Sequence, residues 1–343
     1  MPSSSTYFRL AIAATALAVV VVMLGAFTRL ADAGLGCPDW PTCYGHLWVP
    51  TTEAEIAQAN AVFADTPVET DKTWPEQVHR IVAGTLGLMV LGLAICAWRE
   101  KNIPGRPQKH AYVLCVLIVI QALFGMWTVT LKLWPQVVTA HLLGGFATLS
   151  LLWLMVQRLG GYQWSFQGLA QLANVKRWTV IALLVVTVQI LLGGWTSSNY
   201  AALACVDLPT CQGYWLPDMN FAQGFDVMQQ IGPNYLGGNL DNEARTAIHF
   251  SHRIGAIITT VVVLLLAYKL WCLNHPDSRR WALALAVVLF VQVGLGVTNI
   301  LAHIPLPVAV AHNAVGALLL LTVMTVMHRL YTLKPEKIIS EEG

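Results

Sequence analysis

The chain has 343 residues, of which 56% are hydrophobic and 11% charged, and its mean hydropathy is +0.59. A soluble domain carries about 25% charged residues, so a soluble enzyme, a nucleic-acid-binding protein and a disordered chain are excluded. The net charge of +2 indicates no polyanionic partner. We predict a polytopic membrane protein whose apolar surface faces lipid.

Eight apolar stretches are long enough to cross the hydrocarbon core, which takes about 20 residues of helix. None alternates like a barrel strand, so the predicted fold is an all-α integral membrane protein. The first stretch is interpreted as a retained helix, because its apolar core is too long for a secretory signal. The predicted spans are residues 9–30, 76–98, 110–131, 136–157, 178–199, 246–273, 281–302 and 308–330.

Lysine and arginine residues indicate the orientation of these spans. With both termini in the cytoplasm, fourteen of the 20 basic residues fall on the cytoplasmic side and six on the outer side. The two long loops, residues 31–75 and 200–245, then lie outside the membrane. Both are rich in Asp and Glu.

The chain repeats itself with a shift of about 170 residues, which predicts two tandem, pseudo-symmetric four-helix bundles. They comprise residues 1–165 and 166–343, joined by the polar stretch 159–177. An even number of helices per repeat makes the repeats parallel, about an axis along the membrane normal. The matched segments are Leu24–Thr28 with Leu192–Thr196, Pro41–Cys43 with Pro209–Cys211, His79–Ile81 with His252–Ile254, and Ala140–His141 with Ala311–His312.

Four histidines match between the halves, near the outer ends of the even-numbered spans: His79, His141, His252 and His312. A single one would be most simply a packing residue, but two matched pairs favour a shared function. Two imidazoles facing each other across a four-helix bundle suit the iron of a heme, whereas zinc would need further ligands. Glycines near the first pair leave room for a flat macrocycle: Gly84, Gly87, Gly144 and Gly145.

Two arginines directly follow the first histidine of each pair. Arg80 and Arg253 lie on the side that the positive-inside rule disfavours. Each could extend to the membrane interface or pair with a heme propionate, for which the guanidinium fork is suited. The sequence leaves both roles open.

Glu76 distinguishes the two halves. It lies one helical turn before His79, whereas the matching position in the second half is His249. The segment Thr73–Glu76 also fits a helix-capping box, so a structural role is the alternative. If both halves bind heme, only the first has an acidic group beside it, and that half would host the chemistry.

Each outer loop carries a cysteine pair with the same spacing. Cys37 and Cys43 lie in the first loop, and Cys205 and Cys211 in the second. Disulfides are the expected state in an oxidising compartment, and a metal site is the lesser alternative because no histidine is suitably spaced. The sequence does not distinguish structural from redox-active disulfides.

The combination of these motifs over nearly the whole chain resembles the bacterial heme A synthase family, in its disulfide-bearing branch. The resemblance implies a plasma-membrane oxidoreductase that converts the C8 methyl group of heme O to a formyl group, giving heme A for cytochrome oxidase. It further implies that His79 and His141 ligate heme O, that His252 and His312 ligate a heme b cofactor, and that Glu76 is the essential glutamate. It also suggests contact with heme O synthase, the protoheme farnesyltransferase.

Two other functions fit four heme-ligating histidines. One is a diheme b-type electron-transfer protein, which gives no purpose to the difference between Glu76 and His249. The other is a heme transporter or chaperone. The sequence marks no electron donor or acceptor, and it leaves open whether the protein forms a homo-oligomer.

Overall fold

The computed structural model describes residues 6–166 and 172–335. Over this range eight helices are long and apolar enough to span a membrane, which confirms the predicted number. They are α1 (Thr6–Leu30), α3 (Thr70–Arg99), α4 (Gln108–Thr130), α5 (Pro135–Gly160), α6 (Leu172–Ser198), α8 (Asn242–Trp271), α9 (Pro276–Leu301) and α10 (Leu306–Tyr331). The remaining elements are the short helices α2 (Glu53–Val62) and α7 (Phe221–Gly224) and the parallel two-residue strands β1 (Ser165–Phe166) and β2 (Lys334–Pro335).

The spanning helices form two four-helix bundles, as predicted. In the first bundle α1, α3, α4 and α5 contact one another in a closed ring, and in the second α6, α8, α9 and α10 do the same. Among the described residues, no Cα atom of α3 lies within 8 Å of one of the diagonally opposed α5, and the same holds for α8 and α10. Each bundle therefore has an interior between two opposed helices.

The bundles pack on each other through α1, α5, α6 and α10. One apolar core runs through both, with Leu93, Leu152, Leu266 and Leu330 fully buried. The Trp153 indole on α5 donates a hydrogen bond of 2.7 Å to the Thr325 hydroxyl on α10. Close packing with a few interhelical hydrogen bonds is what holds helices together in lipid, so the two halves form one body.

Helices α3 and α8 start earlier than predicted, at Thr70 rather than 76 and at Asn242 rather than 246. Each has 30 residues and is about 45 Å long, compared with about 30 Å for the hydrocarbon core. Their first turns are polar, so hydropathy alone missed them. His79 consequently lies nearly two turns, and His252 about one turn, deeper in its helix than expected. Both ends of the predicted linker 159–177 are helical, and its residues 167–171 lie outside the described range.

The ends of the two halves that carry the long loops meet at equivalent positions of the repeat. The Arg29 guanidinium donates to the Ser197 carbonyl, and its carbon lies 4.1 Å from the centre of the Tyr200 ring. The Tyr200 hydroxyl donates to Asp32 at 3.0 Å. Ser197 and Tyr200 each lie 168 residues after their partner, so these contacts lie close to the pseudo-twofold axis.

The second outer loop also reaches over the first bundle. The Trp134 indole at the start of α5 donates to the Gln229 carbonyl at 3.0 Å, and the Gln136 amide donates to the Val227 carbonyl at 3.0 Å. The backbone of Tyr235 donates to the Lys132 carbonyl at 3.0 Å. The loop therefore covers the outer end of α5, close to His141.

Candidate heme sites and active site

The structure brings together each predicted pair of histidines. His79 on α3 is close enough to His141 on α5 for the two imidazoles to interact electrostatically. The same holds for His252 on α8 and His312 on α10. Within each half, the two histidines lie on the diagonally opposed helices, whose Cα atoms are more than 8 Å apart. A macrocycle held between two imidazoles would need opposed helices that are separated in this way, so the arrangement is compatible with a heme in each half.

A glycine on a neighbouring helix lies against each of the four imidazole rings. A Cβ atom at Gly25 would stand 3.0 Å from Cε1 of His79, and one at Gly193 would stand 3.1 Å from Cε1 of His252. A Cβ atom at Gly125 would stand 3.5 Å from Cε1 of His141, and one at Gly296 would stand 3.2 Å from Cε1 of His312. A larger side chain at Gly25, Gly193 or Gly296 would push the ring away, so glycine there sets the ring position.

The four glycines expected to leave room for a macrocycle differ in their surroundings: Gly84 is exposed, and at Gly87 the nearest atom to a would-be Cβ is Cγ1 of Ile118 at 3.9 Å. Gly84 and Gly145 have no atom within 4 Å of a would-be Cβ, whereas at Gly144 the side-chain amide of Gln121 fills that space. Nε2 of Gln121 and Nδ1 of His141 are buried without a hydrogen-bond partner in the described part of the chain. Buried polar atoms are normally paired, so these mark a place for a bound group or water.

In the second half, glutamine side chains contact the histidines directly. The Gln189 amide lies 3.1 Å from Nδ1 of His252, which leaves Nε2 of that ring for an iron. The Gln292 amide lies 3.3 Å from Nε2 of His312, so coordination by that nitrogen would require Gln292 to move. Contacts of this kind orient metal-ligating imidazoles.

Glu76 is buried in the second turn of α3, where only 4% of its surface is exposed. One carboxylate oxygen accepts a hydrogen bond of 2.9 Å from the backbone N–H of Cys37, and the other pairs with Arg80. The helix-capping interpretation is wrong. The N-cap is Glu69, and the Thr73 hydroxyl donates back to the Thr70 carbonyl at 3.2 Å.

Arg80 fixes the first disulfide loop to the helix that carries Glu76. The structure contains the predicted Cys37–Cys43 disulfide. One guanidinium nitrogen of Arg80 donates to the carbonyls of Asp39 and Thr42 inside this loop, at 2.8 and 2.7 Å. The side chain is therefore engaged by protein groups and does not extend to the membrane interface.

The second half repeats this arrangement with one chemical difference. The Cys205–Cys211 disulfide is present, and Arg253 donates to the carbonyls of Thr210 and Cys205 at 2.8 and 2.7 Å. The backbone N–H of Cys205 points at Nδ1 of His249, 3.4 Å away. Glu76 and His249 thus occupy equivalent places, one with a carboxylate and the other with an imidazole.

An aspartate inside each disulfide loop holds the loop shape, and sequence reasoning missed both. Asp39 accepts from the backbone of Tyr44 and Gly45 and from the Thr42 hydroxyl. Burial raises the pKa of Asp39, but these hydrogen bonds outweigh the effect of burial and hold the pKa below its usual value.

Asp207 has the same place in the second disulfide loop. Hydrogen bonds from Thr210 and Gly213 lower the pKa of Asp207 to about 2. The repeated pattern D-x-P-T-C-x-G was the available signal.

We expect mass spectrometry of the alkylated, unreduced protein to show Cys37 linked to Cys43 and Cys205 linked to Cys211. Closing so short a loop stabilises the fold by about 2 kcal/mol on the chain-entropy model. Cys96 and Cys115, which form no disulfide, serve as internal controls and should be alkylated once the protein is unfolded. Alkylation of all four loop cysteines in protein taken from intact membranes would contradict the outer placement of the loops.

Fold and site together define a polytopic membrane protein of two four-helix repeats, each with a histidine pair and a disulfide loop. Residues 8–324 match the COX15-CtaA family, described as cytochrome oxidase assembly protein, and the chain belongs to this family. It is 46% identical to the heme A synthase of Shewanella oneidensis over 91% of this chain and 93% of that protein. It is 27% identical to the heme A synthase of Halalkalibacterium halodurans (89% and 90% covered) and 28% identical to that of Caulobacter vibrioides (90% and 91% covered).

Proposed function

We propose that this protein is a heme A synthase, an oxidoreductase that converts the C8 methyl group of heme O to a formyl group for cytochrome oxidase. The similarity to heme A synthases over nine tenths of the chain supports this activity. The observation that carries the proposal is Glu76, a buried carboxylate one turn from His79, where the equivalent place in the second half holds His249. An electron-transfer protein with two equivalent hemes would have no use for this difference.

In this proposal residues 1–165 hold the substrate and residues 166–343 the cofactor. His79 and His141 ligate heme O, and His252 and His312 ligate heme b. When bound, heme b supplies electron transfer. The gap between the diagonal helices and the glycines beside the rings support both assignments. Arg253 has a buried Nε without a partner among the described residues, which is available to a heme propionate. Arg80 is proposed for the same role in the first half.

Oxidation of a methyl to a formyl group removes electrons and protons from the carbon and adds an oxygen atom. Glu76 is the group in the first half that can accept a proton or stabilise positive charge beside the substrate. Arg80 and the Cys37 N–H fix its two oxygens. The loop segment around Val227 and Gln229 is hydrogen-bonded to the start of α5 at this end of the bundle.

We further propose the orientation that the basic residues indicate, in a bacterial plasma membrane. Both termini lie in the cytoplasm, and the disulfide loops and histidines lie toward the outer side. Heme O carries a farnesyl-derived chain and is poorly soluble, so direct delivery by the membrane-bound heme O synthase is the proposed route. Assembly into a homo-oligomer would be compatible with this route.

Pigment extraction from cells with and without this gene tests the proposed function. We expect loss of the gene to abolish heme A and to make heme O accumulate, because the block lies between these two pigments. Restoring the gene should reverse both changes, as measured by chromatography of acid–acetone extracts. An unchanged amount of heme A would contradict the proposed activity and favour an electron-transfer protein. Loss of heme A without accumulation of heme O would favour a heme transporter.

A further inference from the structure

A polar pocket lies at the end of the molecule opposite to the disulfide loops. It has a volume of about 290 Å³ and forms where the start of α4, the end of α5 and the end of α10 meet, so both halves contribute to it. Its lining includes Arg106, Gln157, Arg158, His328 and Thr332. None of these residues takes part in the proposed heme chemistry at the other end of the bundles.

Cationic side chains outnumber acidic ones around this pocket. Arg106 pairs with Glu100 at 2.8 Å, and the nearby Asp277 pairs with Arg280 at 3.4 Å. Arg158 is exposed and forms no ion pair within the described ranges 6–166 and 172–335. Among the described residues, the positive charge of Arg158 is therefore not paired with a carboxylate.

Arg329 is a further basic side chain close to the pocket, in addition to Arg106, Arg158 and His328 in its lining. Arg329 donates to the side-chain oxygen of the buried Gln157 at 3.3 Å, and its guanidinium lies 5.1 Å from the centre of the Tyr162 ring. Nε of Arg329 is buried and has no hydrogen-bond partner among the residues described. Arg329 thus holds the side chain of Gln157, which lines the pocket, and adds positive charge close to the cavity.

We propose that this pocket binds the phosphate group of an anionic phospholipid. Guanidinium groups match the geometry of phosphate oxygens. Basic pockets between spanning helices bind anionic lipid headgroups on the cytoplasmic side, the side to which the basic residues assign this end. Tyr162 and Tyr331 beside the pocket are exposed, as is usual for aromatic residues at a membrane boundary. A lipid bound here would join α5 of the first half to α10 of the second.

Thermal unfolding of the delipidated, heme-loaded protein in detergent tests this proposal. The additions are phosphatidylglycerol, phosphatidylcholine and inorganic phosphate, each titrated separately. We expect phosphatidylglycerol to raise the unfolding temperature at concentrations where the other two have no effect. The double substitution Arg158→Gln with His328→Gln should weaken the apparent affinity for phosphatidylglycerol about tenfold or more, because the phosphate loses the charge-assisted hydrogen bonds of Arg158 and the imidazole N–H donor of His328. Arg99→Gln removes one guanidinium charge, as Arg158→Gln does, at an exposed site at this end of the molecule and should leave the affinity unchanged.

Three results would overturn the proposal. Equal stabilisation by phosphatidylcholine would show that the headgroup charge is not recognised. Inorganic phosphate acting as well as phosphatidylglycerol, with the same sensitivity to the double substitution, would assign the pocket to a free phosphate instead. An equal loss of affinity in Arg99→Gln would indicate a general effect of surface charge. If the double variant does not fold, Arg158→Gln alone changes only an exposed side chain and should weaken binding about threefold or more.

Discussion

Replacing Glu76 with Gln is expected to lower the rate of heme A formation by a factor on the order of 100 or more, while both hemes stay bound. Glutamine has nearly the same size, and its oxygen can still accept the hydrogen bond from Cys37. It carries no charge and takes no proton, and its NH₂ group cannot pair with Arg80. The lost ion pair should cost about 2 kcal/mol of unfolding free energy, which a folded protein can tolerate.

The measurement is heme A produced by the purified, heme O-loaded variant, together with its heme spectrum and thermal unfolding curve. Glu69→Gln is the matched control, because it makes the same change in an exposed carboxylate just before α3 that pairs with Lys72. The control should keep full activity. Normal conversion of heme O by Glu76→Gln would remove the carboxylate from the chemistry and leave it as the group that fixes the Cys37 loop.

Replacing His252 or His312 with Ala is expected to abolish tight binding of heme b in the purified protein. In the proposed assignment each of these two imidazoles would supply one ligand to the iron, and no other histidine, cysteine or methionine is proposed for that site. His79→Ala and His141→Ala should instead keep heme b and lose retention and turnover of heme O. Optical spectra and extracted pigments of the four variants measure both effects.

His110→Ala is the matched control for these four substitutions. His110 is a buried histidine near the start of α4, at the end of the bundle away from the proposed heme sites. Its removal tests whether loss of any buried imidazole disturbs heme binding, and we expect both hemes to remain. The same residual spectrum in all four ligand variants would show that the halves do not divide the substrate and cofactor roles.

The spans and the repeat could be predicted from sequence because they depend on local properties. A run of apolar residues longer than the hydrocarbon core is enough to identify a spanning helix, and matched segments such as His79–Ile81 and His252–Ile254 reveal the repeat. The cysteine pairs were also predictable, since only six positions separate Cys37 from Cys43. Polar helix ends such as Thr70–Pro75 of α3 were not predicted, because a hydropathy criterion does not detect them.

The connections around Glu76 could not be predicted, because they join residues far apart in sequence. The Cys37 amide and Glu76 are 39 positions apart, and Arg80 reaches carbonyls 38 and 41 positions before it. The pattern T-x-x-E also occurs three times in this region, starting at Thr52, Thr66 and Thr73, and the first and last copies have different outcomes. At Thr52 and Glu55 it forms a complete capping box, whereas Thr73 already lies inside a helix. Which copy caps a helix depends on where the helix starts, and tertiary contacts decide that.

The contacts of Arg29 with Ser197 and of Asp32 with Tyr200 have an evolutionary consequence. They join equivalent positions of the two repeats near the pseudo-twofold axis, and the products of a gene encoding one repeat could pack with the same geometry as a symmetric dimer. In such a dimer every mutation appears in both subunits, and the two sites must stay identical. Duplication and fusion of that gene allow each copy to diverge separately. That freedom permits one half to carry Glu76 while the other carries His249.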